Sequence, residues 1–177
     1  MKIGLIRHFP VKKDFLKGRV KQSEVLLWFS EYNQALGEPM EIVGGYTWQK
    51  CYSSQLPRAR HTAAALYDGP IEYTALLNEP VPFPLFKRDI RLPFLLWATV
   101  MRGAILLNHR SQHHRKAVIE RRMVRFLEGI INKEEKDVLI VSHAFVMEVL
   151  SRQLLAYGFK GKKLSRPQNG VLYVYEK

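Results

Sequence analysis

The sequence predicts a single-domain α/β fold, a three-layer sandwich in which a mostly parallel sheet carries helices on both faces. Three observations predict it. Short unbroken apolar runs, at residues 3–6 and again at Val138-Leu139-Ile140-Val141, read as strands covered on both sides. Segments with apolar residues at helical spacing alternate with these runs. The 177 residues contain no repeat, linker or low-complexity tract, so residues 1–177 are expected to form one domain.

In chain order, residues 3–6 form the first strand. Residues 22–36 place Val25, Leu26, Phe29, Tyr32 and Leu36 at helical spacing, with Ser23 as the expected N-cap. Residues 50–54 read as a second strand. Pro57 then opens a helix running to about Tyr67, because proline lacks the N–H that a first helical residue leaves unused. A third strand at 71–74 leads into a loop with Pro80, Pro82 and Pro84. The apolar stretch 92–107 is interrupted by Pro93, Arg102 and Gly103 and falls short of the ~20 residues a membrane span needs. It is expected as a helical or irregular element packed on the domain, or as an exposed apolar lid. Residues 112–131 form a basic amphipathic helix with Val118, Ile119, Met123, Phe126, Leu127 and Ile130 on its apolar side. A strand at 137–142, a helix at 144–157 and a strand at 170–175 complete the chain.

Composition narrows the function. With 47% hydrophobic and 25% charged residues the chain is globular rather than disordered. The lone Cys51 excludes a disulfide framework and suits a reducing compartment. Arg7-His8 arrives before a signal-peptide core could form, so a cytoplasmic location is expected. The formal charge is +12, and residues 87–125 hold ten Lys and Arg against Asp89 and Glu120. That segment reads as a solvated basic face that steers anionic substrates. Nucleic acid is not the expected partner, since aromatic residues do not interleave with the basic ones and no nucleic-acid-binding signature is present. His61, His109, His113 and His114 invite a metal reading. The adjacent His113-His114 pair faces different ways on a helix and no carboxylate stands at matching spacing, so neither a metal nor a cofactor is expected.

Ligands of open α/β sheets bind beyond the carboxyl ends of the strands. There the first strand carries Arg7-His8, the second Ser53-Ser54 followed by Arg58, the third Leu76-Leu77-Asn78-Glu79, and the strand at 137–142 ends in Ser142-His143. Two guanidiniums with two imidazoles make a phosphate-shaped site: arginine forks bind phosphate oxygens, and a neutral imidazole nitrogen is a nucleophile. Arg58, Arg60 and His61 also stand in the first turn of a helix, where positive charge opposes the macrodipole and a bound anion reverses the penalty.

These segments resemble the histidine phosphatase (phosphoglycerate mutase-like) superfamily. Leu5-Ile6-Arg7-His8 resembles its Leu-x-Arg-His signature, and the run from Tyr52 to Ala63 resembles its Ser-Ser-x-Leu-x-Arg-Ala-x-x-Thr-Ala segment. Leu76-Leu77-Asn78-Glu79 is similar to its Leu-x-Glu, the run from Val138 to His143 to its late Val-x-His strand, and Asn169-Gly170 stands where many members carry Asn. The matches keep the family's order. The resemblance implies a phosphoglycerate mutase-like fold and hydrolysis of phosphomonoesters through a phosphohistidine. His8 would be the nucleophile, Glu79 the proton donor with Asp14 and Asp89 as substitutes, and Arg7, Arg58, His143 and Asn169 the phosphate-binding groups. The partners implied are a phosphorylated small molecule or phosphoprotein as substrate, and inorganic phosphate.

The chain departs from the family where Phe9-Pro10-Val11 replaces Gly-Glu-Thr after Arg-His, and where Ala144-Phe145 follows the second histidine in place of Gly. Specificity is expected from residues 9–19 and 81–114. The rival readings are a non-catalytic phospholigand-binding protein whose pocket Phe9 and Phe145 have narrowed, and a binder of polyanions, RNA or a membrane surface, through the basic segment.

Overall fold

The computed structural model describes residues 1–40, 47–80, 84–106, 110–133, 135 and 137–177, with side chains left undescribed at 98, 102, 105–106 and 110–116. Five strands form the main sheet: β1 (Lys2–Arg7), β3 (Lys50–Ser54), β4 (Ile71–Thr74), β6 (Val138–Ser142) and β7 (Leu172–Glu176), in the order β4-β3-β6-β1-β7. The first four run parallel and β7 joins the edge antiparallel to β1. A separate two-stranded ribbon pairs β2 (Arg19–Lys21) with β5 (Arg91–Pro93).

Alternation along the strands builds the layers, because successive side chains point to opposite faces. Ile3 and Leu5 of β1 join Val138 and Ile140 of β6 in a core that also holds Ile119, Met123, Phe126, Leu127 and Ile130 of α4 (Arg110–Asn132) and Val146, Met147, Leu150 and Leu154 of α5 (Ala144–Ala156). Ile6, Leu139, Val141 and Cys51 face the other way, against Ala59 and Ala63 of α2 (Pro57–Leu66). Those alanines let α2 lie close to the sheet. On the same face Gly4 leaves room for Trp48: a Cβ there would stand 2.5 Å from the indole. The α/β sheet with helices on both faces is thus the fold that the sequence predicts.

Parts of the segments between β1 and β3 and between β4 and α4 build a cap. The cap consists of α1 (Gln22–Gln34), the β2–β5 ribbon and α3 (Phe94–Leu106), joined around Val20, Val25, Trp28, Phe94, Trp97 and Met101. Here the structure corrects one expectation and bears out the packed-helix reading of the apolar stretch. Ser23 is not the N-cap of α1. Lys21 is, with its N–H donating to Glu24 Oε2 at 2.6 Å, while Ser23 donates from its backbone N–H and its hydroxyl to the carboxylate of Asp89 at 2.9 and 2.7 Å. The apolar stretch is a helix packed on the cap through Phe94, Trp97 and Met101, with Leu95 and Leu96 left exposed. Among the described residues, no helix is long and apolar enough to cross a membrane.

Candidate active site

Register brings the sequence-predicted groups together. Arg7 stands opposite Ser142, and one residue further on the His8 N–H donates to the Ser142 carbonyl at 2.9 Å. His8 and His143 therefore leave adjacent parallel strands at the same level, and their rings lie 5.1 Å apart, centroid to centroid. Ser54 ends β3 on the other side of β6. Both histidines, Arg58, Ser54 and Ser142 are buried.

His8 is held in one tautomer. Its Nδ1 lies 2.6 Å from the Phe9 carbonyl, which can only accept, and its Nε2 receives a hydrogen bond from Arg58 Nε at 3.1 Å. The proton is on Nδ1 and the lone pair on Nε2. Burial first, then the charges of Arg58 and Arg7, pull His8 down to about 3, against the lift from its bond to Phe9. The ring is neutral at any physiological pH. The backbone around it is fixed from two sides: Thr62 Oγ1 accepts from the Phe9 N–H at 2.8 Å, and Asn169 Nδ2 donates to the His8 carbonyl at 2.6 Å. Asn169 is placed against the His8 backbone, and Gly170, in the left-handed region at φ 68°, turns the chain so that its own N–H meets the Arg7 carbonyl.

Arg58 enters from the first turn of α2, and its guanidinium packs 4.9 Å from the ring centre of Tyr32. Its Nη1 approaches the Tyr32 and Asn33 carbonyls at 3.4 Å, in the last turn of α1. The negative end of one helix thus offsets part of the conflict with the positive end of another. Arg7 donates from Nη1 to the Pro167 carbonyl at 3.0 Å. Neither arginine has a carboxylate partner among the described ion pairs.

Glu79 follows the 3-10 turn Ala75–Leu77 and rests its carboxyl group on the Phe145 and Val146 N–H groups of the first turn of α5. Burial outweighs those bonds and the attraction of Arg58 and Arg7, and raises the group to about 7. The residue as a whole keeps some exposure, but its Oε2 atom is buried. Sequence proximity offers Phe83 and Phe86 as apolar cover for this carboxyl group, but the Phe86 ring is 41% exposed and lies against Trp97. Phe83 lies outside the described residues, as do His109 and the side chains of His113 and His114. The substitutes fall elsewhere. Asp14 is exposed, with its carbonyl under the Trp28 N–H, and Asp89 is committed to Ser23. Phe145 packs against the α4–α5 core, while Phe9 is buried beside Gly37.

Sequence reasoning missed Arg122. It counted within the solvated basic face, yet its Nε and Nη2 donate to the Leu76 carbonyl at 3.1 and 2.7 Å, and Nη2 also to the Asn78 carbonyl at 2.6 Å. It ties α4 to the turn that carries Glu79. The signal was its position beside the buried row Ile119, Met123 and Phe126. The roles of Ser54 and Asn78 were missed as well. Asn78 Oδ1 accepts from the Ser54 hydroxyl and the Gln55 N–H, both at 2.8 Å, and Ser54 Oγ stands 2.7 Å from His143 Nε2.

Three buried side-chain atoms have no hydrogen-bond partner among the described residues: Arg7 Nε, Glu79 Oε2 and His143 Nδ1. Buried polar atoms are nearly always paired. Three orphans, two guanidiniums and one unprotonated imidazole nitrogen on one rim of the sheet make a cationic site suited to a tetrahedral anion. No group of three or more metal-ligating side chains occurs among the described residues.

The motif-based resemblance stands: the family model of the histidine phosphatase superfamily (branch 1) matches residues 99–176, a segment with His143 and Asn169 but without His8, Arg58 and Glu79. The chain shares its fold with alpha-ribazole phosphatase from Shigella flexneri, at a TM-score of 0.56 and 16% identity over 98% of this chain and 89% of that one. It likewise resembles phosphoserine phosphatase from Entamoeba histolytica, solved with 3-phosphoglyceric acid, at 0.55 and 15% over 98% and 89%. No curated protein matches the chain.

Proposed function

We propose that this histidine phosphatase-like chain hydrolyses phosphomonoesters through a phosphohistidine formed on His8. The observation that carries the reading is the His8 tautomer: an unprotonated Nε2, fixed by the Phe9 carbonyl and Arg58, on a sheet rim that also buries three unpartnered polar atoms. In the first step Nε2 attacks phosphorus, the bond to the ester oxygen breaks, and the leaving alkoxide takes the proton of Glu79. In the second, water attacks the phosphohistidine, Glu79 takes the water proton, and inorganic phosphate leaves with His8 restored. Arg7, Arg58 and His143 neutralise the phosphoryl oxygens as charge spreads over them. Asn169 acts on phosphate indirectly, by holding the His8 carbonyl. A carboxyl group near 7 is partly protonated at neutral pH, which suits a group that gives a proton in one step and accepts one in the next.

The names alpha-ribazole phosphatase and phosphoserine phosphatase fit a phosphorylated small molecule as the substrate class. The exposed basic residues Lys87, Arg88 and Arg91 of the cap supply an attractive field for such an anion.

The test has two parts. Quenching turnover should trap an acid-labile, base-stable phosphoenzyme that is absent in His8→Ala, whose activity should fall to background. Retained activity in His8→Ala sinks the proposal. Glu79→Gln should slow hydrolysis of an alkyl phosphate by roughly 10²–10⁴ and that of nitrophenyl phosphate far less, because only the alkoxide needs a proton to leave. Equal losses on both substrates would make Glu79 a positioning group instead.

A further inference from the structure

The hydrogen-bond chain behind His143 has a direction that heavy atoms alone fix. It begins at the Gln55 N–H, which can only donate, so the Asn78 atom 2.8 Å away is the carbonyl Oδ1. The same Oδ1 faces Ser54 Oγ at 2.8 Å, so the serine uses its one hydrogen there. Ser54 Oγ also accepts from the Leu56 N–H at 3.2 Å. With its hydrogen committed to Asn78, Ser54 can only accept from the His143 Nε2 that stands 2.7 Å away. His143 therefore carries its hydrogen on Nε2. Its Nδ1, buried and unpartnered, is a bare lone pair.

A lone pair repels an anion. The groups facing the His143 ring are Arg7 and the neutral His8 at the end of β1 and Arg58 from α2, and the two guanidinium charges act to keep it neutral, after burial itself. An anion among them reverses that balance. We propose that the pocket binds a phosphoryl group together with one proton, shared between a phosphoryl oxygen and His143 Nδ1, because Ser54 and Asn78 hold the ring's own hydrogen on the far nitrogen. The bound species is the phosphomonoester dianion plus one proton, equivalent to the monoanion. Ser54 and Asn78 are positioning residues that select this ionisation state. The inference rests on the phosphoryl-pocket reading above and adds to it the protonation state of the ligand.

The experiment counts protons during binding and needs no turnover. Inorganic phosphate is titrated calorimetrically into the Glu79→Gln protein, which removes the other group able to take up a proton near neutrality. Two buffers of different ionisation enthalpy give the number of protons taken up. The expected result is about one per phosphate at pH 8.5 and about none at pH 5.5, with affinity falling about tenfold per pH unit above the second ionisation of phosphate. Adding Ser54→Ala frees Nε2 of its acceptor. Adding Asn78→Ala lets the serine hydroxyl turn and donate to Nε2. Either change permits the Nδ1–H tautomer, which donates to the dianion directly, so uptake at pH 8.5 should fall towards zero and the pH dependence should flatten. Asn78→Asp keeps the acceptor oxygen and should keep the uptake. Histidine ¹⁵N spectra of the ligand-free proteins read the tautomer independently, and a bare Nδ1 is expected wherever Ser54 and Asn78 are intact. Binding without uptake in the Glu79→Gln protein, or unchanged uptake after Ser54→Ala, overturns the inference and leaves the phosphatase reading standing. No binding at either pH in any of these proteins sinks both.

Discussion

At the rim of the sheet, Arg7, Glu79 and His143 each bury a polar atom without a partner among the described residues. In the cap, the two buried tryptophans satisfy their N–H groups: Trp28 donates to the Asp14 carbonyl at 2.8 Å and Trp97 to the Val20 carbonyl at 3.0 Å. Trp28 further touches Phe15, Phe29, Tyr32 and Phe94 through ring contacts with centroids 5.1–6.0 Å apart. One region holds desolvated charge and unmet hydrogen-bonding capacity; the other holds packed apolar surface. Only the second has the character of a stabilising core. The rim has that of a ligand site, because its polar atoms gain partners only when something binds.

The comparison can be broken where the two regions differ most. His8→Ala, which removes the proposed nucleophile, should lose all turnover above background and little stability. The converse is Trp97→Ala. It deletes a fully buried ring that joins α3 to the ribbon, and should lower unfolding free energy by roughly 3–5 kcal/mol in urea titration. Its turnover of nitrophenyl phosphate in the cold should stay within a few-fold. A collapse of kcat there would mean that the cap shapes the phosphoryl pocket itself. Arg122→Ala lies between the two regions. It frees the turn that carries Glu79, and a misplacement of about 1 Å costs roughly 10²-fold in kcat. Alkyl phosphates should suffer more than nitrophenyl phosphate, as they do for Glu79→Gln. Equal losses on both would mean that Arg122 supports the fold rather than the acid.

The rim was legible in sequence and the cap largely was not, for physical reasons. Arg7, His8 and His143 end strands whose continuous apolar runs announce themselves, and Arg58 and Glu79 follow shorter strands marked by the next helix and turn, so a parallel sheet suffices to gather them. The β2–β5 ribbon has three residues on each strand and 69 residues between Lys21 and Arg91. No local period marks so short a pairing. Ser23 has the chemistry of an N-cap, and only the fold shows that Asp89 occupies its donors. Arg122 looked like one of many surface cations, because sequence does not show that two carbonyls of a 3-10 turn point at it. The tautomer of His143 depends on Ser54 and Asn78, whose distance along the chain hides their contact.

The smallest effect concerns stability and separates the regions by whether a pH dependence exists. Glu79 is raised from about 4.5 to about 7, so the folded protein keeps a proton that the unfolded chain has released. That contribution is fully present below 4.5 and is lost as pH rises through 7. His8, lowered from 6.5 to about 3, behaves oppositely: its contribution is present above 6.5 and is lost as pH falls towards 3. Comparing Glu79→Gln with the wild type cancels the histidine contribution and isolates the carboxyl. At pH 4.5 the two proteins should unfold at nearly the same urea concentration, since both bury a neutral group. At pH 8 the wild type buries a carboxylate and the variant does not. The variant should then be the more stable by on the order of 2–3 kcal/mol, with the gap opening between those two values. A cap substitution such as Trp97→Ala should show a loss that is flat across the same range. A flat difference for Glu79→Gln as well would place its carboxyl in water, and with it the proton donor of the proposed reaction outside the pocket.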